Sequence, residues 1–260
     1  MIPCPIGMRL NPSASLREQI REAAALGAKG VVIDAIGDVA PARLSETGRR
    51  EFRHLLRSVE MSLVALSLPT RRAFDTTDQL DDRLRRAEAA FAMAFELGTT
   101  LVLARVGGVP PEENPEARAI FVNAVRELGR RADHRGVRLA IETGPDAGAV
   151  VRGLLDGLAS PGLAASIDPT ALTQSGNDPG EAILSLGPWV AHAYAPDGSN
   201  ATRSTGLARR SGYPAGGIDL EGYFGSLEEV NYRGFVTIWP EPEQPAGPQF
   251  KATLDRLKRL

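Results

Sequence analysis

Glu142 and Asp168 are the side chains whose type and setting point most directly to chemistry. Each closes a short apolar run, Val137-Arg-Leu-Ala-Ile-Glu142 and Leu163-Ala-Ala-Ser-Ile-Asp168, with a helix-like segment between the two. If the runs are neighbouring parallel strands, the carboxylates emerge side by side at one mouth of a sheet. Two carboxylates so placed suit general acid–base work.

The elements that must position them follow one repeating grammar. An amphipathic helix ends at a glycine, a few residues intervene, and an apolar run follows. This occurs at Gly27, Gly98, Gly136, Gly162, Gly187 and Gly234. Glycine suits the left-handed position just past a helix end, from which a tight turn returns the chain to the sheet. Ser15 with Glu18 reads as a capping box, and Leu16, Ile20, Ala23 and Gly27 share a face. Leu80, Leu84, Ala87, Phe91, Ala94 and Phe95 read as one stripe. Asn114 caps a helix begun by Pro115, whose inner face is Phe121, Ala124, Val125, Leu128 and Ala132. Phe250, Leu254 and Leu257 stripe a terminal helix.

Strands are expected near 6–10, 30–34, 62–68, 100–106, 137–142, 163–168, 189–195 and 234–239. That count, alternating with helices, predicts an α/β fold, a single (β/α)8 TIM barrel over residues 1–260. An open doubly wound sheet shares the alternation, but no Gly-x-Gly-x-x-Gly follows the first strand. Pro196 to Gly217 far exceeds the roughly 2–6 residues of an ordinary βα loop. It follows the seventh strand, so the expectation is a mobile lid over the site; the alternative is an unstructured insertion.

Composition narrows the class. With 260 residues, 43% hydrophobic and 24% charged, the chain reads as a globular protein. Cys4 is the one cysteine, so no internal disulfide forms and a reducing, cytoplasmic setting is expected. The first residues lack a basic and apolar leader pattern, and no apolar run is long enough to span a membrane. A net charge of −2 argues against a nucleic-acid partner.

In a (β/α)8 barrel the C-terminal strand ends line the site. In chain order these are Asn11, Asp34, the Ser67–Arg71 turn, Arg105, Glu142, Asp168, Tyr194 with Asp197, and Trp239 with Glu241. Carboxylates and arginines are costly to bury, so their recurrence there reads as a polar pocket rather than core. Arg105, with Arg203, Arg209 or Arg210 on the long loop, supplies positive charge for an anionic or carboxylate substrate, with a fork geometry that suits it; the bland reading of the loop arginines is a solvated surface. Tyr194 and Trp239 suit stacking on a sugar ring or simply filling a cavity. His54 and His134 fall on predicted helices as surface residues. His192 reads as structural, either facing away from Tyr194 or packed beside it.

Longer motifs carry a family resemblance. They are the Ser15…Gly27-Ala-Lys-Gly-Val helix and turn, Arg86-Ala-Glu…Gly98-Thr-Thr-Leu-Val, Leu139-Ala-Ile-Glu-Thr143 and Ile167-Asp-Pro-Thr-Ala171. Gly176-Asn-Asp-Pro-Gly180, His192-Ala-Tyr-Ala-Pro-Asp197, Gly217-Ile-Asp219 and Tyr232-Arg-Gly-Phe-Val-Thr-Ile238 continue it. In this order they resemble the xylose isomerase-like TIM-barrel superfamily, which includes sugar and sugar-phosphate isomerases and epimerases, inosose dehydratase and related AP endonucleases.

The resemblance implies a divalent metal (Mn, Mg or Co) held by Glu, Asp, His and Glu at four strand ends, stabilising an enediolate during proton transfer. Carried over by position, the first Glu is Glu142 and the Asp is Asp168. The His falls on Tyr194 and the last Glu on Trp239, and a further histidine of the pattern is Ala171. The site is therefore degenerate, and Glu142 and Asp168 alone would hold a metal weakly. Glu241 or Glu243 would have to swing back to complete it. The implied activity is that of a sugar or sugar-phosphate isomerase or epimerase, with Glu142 as general base, Asp168 as its electrostatic or metal-binding partner and Arg105 as clamp. Arg203, Tyr194, Asp197, Trp239 and Glu241 would bind a carbohydrate-like ligand. The alternatives are a non-catalytic or metal-free carbohydrate-binding barrel and a metal-free dehydratase or lyase. Self-association into a homo-oligomer stays open.

Overall fold

All eight apolar runs expected as strands form them, six of them behind the glycines named above. In the computed structural model, which describes residues 4–196, 218–241 and 245–260, these are β1 (Ile6–Arg9), β2 (Gly30–Asp34), β3 (Ser62–Leu68) and β4 (Leu101–Ala104). They continue as β5 (Arg138–Glu142), β6 (Leu163–Ile167), β7 (Val190–Tyr194) and β8 (Val236–Ile238). All pair in parallel and in chain order, and β8 returns to β1 through Ile6↔Val236, so the sheet closes. This is the expected (β/α)8 barrel.

Around it lie α1 (Leu16–Ala25), α2 (Glu46–Ser58), α3 (Leu80–Leu97), α4 (Pro115–His134) and α5 (Gly148–Leu158). Then come α6 (Pro169–Gln174), α7 (Pro179–Leu186), α8 (Leu220–Glu229) and α9 (Ala246–Leu257). Both α6 and α7 fall between β6 and β7, one helix more than strict alternation predicts. No described helix is long and apolar enough to cross a membrane.

Helix stripes and strand faces build the main core between the two layers. Ile20, Phe91, Phe121, Leu155, Ile183 and Phe250 are all wholly buried in it. The predicted faces of α4 and α9 are buried as expected. On α3, Phe95 leaves the stripe and is 61% exposed. The buried face of α3 is centred on Ala87, Ala90, Ala94 and Leu97, so Phe95, about 100° round the helix from Ala94, lies at its edge. Inside the barrel the residues are small or branched, including Val32, Ala65, Leu103, Ala140 and Ala164.

The glycine grammar has two separate causes. Gly27, Gly98, Gly136 and Gly187 have positive φ, as the helix-end argument requires. Gly162 and Gly234 do not; the positive-φ residues near them are Ala159 and Asn231. Gly162 is needed for space, because a Cβ there would lie 2.0 Å from the Gly129 carbonyl oxygen of α4. At Gly234 a Cβ would strike the Tyr232 ring.

A polar relay crosses the barrel interior beneath the mouth. His192 Nδ1 lies 2.8 Å from Ser166 Oγ and Nε2 lies 2.9 Å from Thr237 Oγ1, joining β6, β7 and β8. His192 packs edge-on beside Tyr194, the second of its two expected placements. Complete burial, reinforced by Arg9, lowers its pKa from 6.5 to about 3. The folded protein therefore keeps the ring neutral while the unfolded chain takes up a proton below pH 6.5. His192 thus contributes stability above that pH and loses it as the pH falls towards about 3. The expected slope is about 1.4 kcal/mol per pH unit within that window. Urea unfolding of wild type and His192→Gln at a series of pH values isolates this component, which the variant should lack.

Candidate active site

Side chains alternate across a strand, so the inward series that passes through Val32, Ala65, Leu103, Ala140 and Ser166 ends in a polar ring. The ring consists of Arg9, Asp34, Ser67, Arg105, Glu142, Asp168, Tyr194 and Trp239. Every strand supplies one member, within one residue of its C-terminal end, where (β/α)8 barrels carry their chemistry.

Local structure fixes the two predicted carboxylates. Asp168 caps α6 through Oδ1, which accepts from Ala171 N at 3.0 Å, with Pro169 in the first helical position. Its own N–H donates to Thr143 Oγ1 at 2.9 Å, tying β6 to β5. Glu142 lies deeper, its side chain 5% exposed. Its Oε1 accepts from Tyr194 Oη at 2.9 Å and lies 3.4 Å from Arg9 Nη1. Tyr194 is held in turn by α8, where the Tyr223 hydroxyl donates to its carbonyl at 2.7 Å.

Five charges alternate across the mouth. Arg9 Nη2 contacts Asp34 at 2.8 Å and Nη1 approaches Glu142 at 3.4 Å. Arg105 then reaches Glu142 Oε2 at 3.7 Å and Asp168 Oδ2 at 3.2 Å. The order is Asp34, Arg9, Glu142, Arg105, Asp168. Arg9 is 6% exposed, whereas the Arg105 side chain is 58% exposed and faces the cleft.

Burial pushes the Glu142 carboxyl up; Arg9, Tyr194 and Arg105 oppose this without overcoming it. The shorter contact of Arg9 is with Asp34, which neutralises much of the charge that Glu142 would otherwise feel. Burial also opposes the charge on Arg9, but Tyr194, Asp34 and Glu142 outweigh it and hold its pKa above the ordinary arginine value. Burial, together with Glu142, drives the Tyr194 phenol well above its usual range, so it stays neutral.

Trp239 is 38% exposed and lines two clefts. One, of about 260 Å³, is bounded by Arg105, Asp168, Gln174, Tyr194, Trp239 and Glu241. The other, of about 200 Å³, lies towards Arg9, Asn11 and Asp34. Glu142 lines neither; it sits under Arg105 and Tyr194.

The structure thus unites Glu142, Asp168, Arg105, Tyr194 and Trp239, with Glu241 at the rim. Asp197, Arg203, Arg209, Arg210, Glu243 and the expected lid lie outside the described residues. Asn11 does not end β1. Its backbone N–H donates to Gln19 Oε1 at 2.7 Å, beyond a strand that stops at Arg9. Arg9 is the member that the strand-end reading missed. The available signal was a charged residue two positions after Gly7, on the inward register of an otherwise apolar strand.

The donors do not fit a divalent metal. Both Asp168 oxygens are committed, one to the α6 cap and one to Arg105. Glu142 faces two guanidinium groups and a phenol that donates to it. Among the described residues no three His, Cys, Asp or Glu side chains gather to hold an ion. Glu241 does not complete the set.

Eight parallel strands in order with a polar ring at their C-terminal ends define the class: a (β/α)8 barrel with its site at the mouth. Residues 20–260 match the xylose isomerase-like TIM barrel family, and the chain belongs to it. Among solved structures it is similar to the xylose isomerase domain protein of Planctomyces limnophilus, at 18% identity over 98% of this chain and 96% of that one, TM-score 0.83. It is also similar to a D-psicose 3-epimerase determined in the presence of D-fructose, at 14% identity over 98% of both chains, TM-score 0.79. A third is the probable 3-DHS dehydratase AsbF of Bacillus anthracis, at 18% identity over 98% of both, TM-score 0.75. At these identities the likeness is one of fold. A comparison with curated protein sequences finds no match.

Proposed function

We propose that the barrel acts on a small, uncharged hydroxy-carbonyl compound of the sugar class, moving a proton at the carbon next to the carbonyl. The observation that carries this is the buried, up-shifted Glu142 lying directly beneath the half-exposed Arg105. The Arg105–Glu142 separation of 3.7 Å is too long for a hydrogen bond and is the weakest link of the charge chain. A substrate oxygen that draws Arg105 outward exposes Glu142 Oε2. The C–H bond then breaks towards that carboxylate, and its electron pair moves to the carbonyl oxygen, which Arg105 stabilises as an enediolate. Return of the proton by Glu142 to the neighbouring carbon, with the hydroxyl proton there passing to the first carbonyl oxygen, gives an isomer; protonation of the opposite face from solvent gives an epimer.

Size and charge support the substrate class. About 260 Å³ is at the small end of ligand pockets. Three carboxylates face two guanidinium groups, and the exposed one, Arg105, is already balanced by Asp168 and Glu142. That balance favours a neutral sugar over its phosphate. Trp239, 38% exposed, offers apolar surface to a sugar ring, with the buried Tyr194 ring packed behind it at 5.3 Å.

The test is a panel of keto- and aldo-sugars, their phosphates and inositols, incubated in D2O and followed by NMR for loss of the C–H signal beside the carbonyl. Exchange with a neutral sugar is the expected result. Exchange with phosphates alone would sink the choice of an uncharged substrate. Binding without exchange would favour the non-catalytic carbohydrate-binding barrel, for which the engaged oxygens of Glu142 are the supporting observation.

A further inference from the structure

The charge that a divalent ion would bring to this mouth is already present as a side chain. Arg9 reaches the centre of the ring from β1 and is almost wholly enclosed there. Its Nη1 donates to Tyr194 Oη at 2.5 Å and approaches Glu142, while Nη2 donates to Asp34 and to Ser67 Oγ, both at 2.8 Å. Its Cζ lies 3.8 Å from the centre of the Trp239 ring.

Glu142, Tyr194 and Trp239 are three of the four positions onto which the resemblance maps metal ligands. The fourth, Asp168, is bound by the other guanidinium, Arg105. The two aromatic replacements make chemical sense once the cation is organic. A guanidinium is recognised by hydrogen-bond acceptors and by π faces, and it suits burial better than an ammonium. The Tyr194 oxygen accepts from Arg9 while its own proton goes to Glu142, and the indole covers the planar cation. Neither aromatic would serve a hard ion at neutral pH.

We propose that the Arg9 guanidinium stands in the place of the divalent metal, so that the mouth is assembled around an organic cation without one. Arg9 is a positioning residue, acting through Glu142, Asp34 and Tyr194. This assignment goes beyond the catalytic reading and does not rest on it; it holds for a barrel that turns substrate over and for one that only binds.

The experiment titrates Mn2+ into the full-length wild-type protein, Arg9→Gln and Arg9→Lys. The aqueous Mn2+ EPR signal and the thermal midpoint with and without Mn2+ are read for each. Wild type and Arg9→Lys should leave the signal and the midpoint unchanged. Arg9→Gln exposes Asp34 and Glu142 to an added cation. It should bind Mn2+ at least about a hundredfold more tightly than wild type, the least expected from removing a unit charge a few ångström from a divalent ion. Its midpoint should rise with Mn2+, a response that loss of packing alone does not produce. The proposal is overturned if wild type takes up one equivalent of Mn2+ and Glu142→Gln does not. A folded Arg9→Gln that ignores Mn2+ as wild type does overturns it equally. Should Arg9→Gln fail to fold, the wild-type titration decides alone: no uptake sustains the proposal, one equivalent defeats it.

Discussion

Replacing Arg9 by methionine should destabilise the fold by about 3–5 kcal/mol, the usual cost of removing one partner from a buried charge cluster. The substitution roughly keeps the apolar stem and removes the guanidinium. Asp34 and Glu142 are then left facing each other with no cation between them, and Tyr194 and Ser67 lose a donor. Attraction within the native pair is not the main term, because taking these charges from water consumes much of that gain. The loss comes from the carboxylates left behind. Adding Asp34→Asn or Glu142→Gln to Arg9→Met should therefore recover part of the stability, a coupling that independent sites do not show. Urea unfolding of the purified single and double variants measures it. A single-variant loss below about 1 kcal/mol, the level of a surface ion pair, would show that the cluster does not depend on Arg9.

Glu142→Gln should lower turnover of any substrate found in the sugar panel by about 10²–10⁴, the range expected for losing a positioned general base. The amide keeps the shape and can accept from Tyr194 as the carboxylate does, so circular dichroism should show an intact fold. The pH profile provides the sharper reading. A base must be deprotonated to act, so the rate falls as acid is added. Burial raises the Glu142 pKa, which places that acid limb above an ordinary glutamate's. The limb should disappear in Glu142→Gln and persist in Asp168→Asn. An unchanged limb in Glu142→Gln assigns the proton to another group.

The barrel was legible because it is written locally. Strand runs, helix stripes and the Asn114–Pro115 cap each depend on near neighbours, and all of them form. Errors arose where two local causes share one residue type. Gly162 looks like a helix-end glycine, yet it is demanded by the backbone of α4. Phe95 fits the i, i+3, i+4 spacing with Phe91 and Ala94, but the buried face is centred further round, on Ala90, Ala94 and Leu97, and leaves Phe95 at its edge. Within the site, Glu142, Asp168 and Arg105 were visible because polar residues ending apolar runs are conspicuous. Arg9 was hidden by a strand boundary: with β1 read to residue 10, Asn11 took the place of the strand-end residue. The reason for Tyr194 and Trp239 lay in a contact partner far away in the chain. No spacing rule reveals that an aromatic residue near the end of a sequence answers an arginine near its start.

The distance between those partners also affects how the protein is made. Arg9 is translated well before its partners, and its bonds to Glu142 and Tyr194 span sequence separations of 133 and 185 residues. Until β7 and β8 have been translated, the nascent barrel carries a guanidinium whose phenol and indole partners do not yet exist. Long-range pairings of this kind form late, because the chain entropy of closing them must be met first. The indole cover over Arg9 is therefore added only with β8, the strand whose pairing to β1 closes the seam. A fragment ending before β7 would leave Arg9 without Tyr194 and Trp239, exposing open strand edges and an incomplete polar ring to chaperones and proteases.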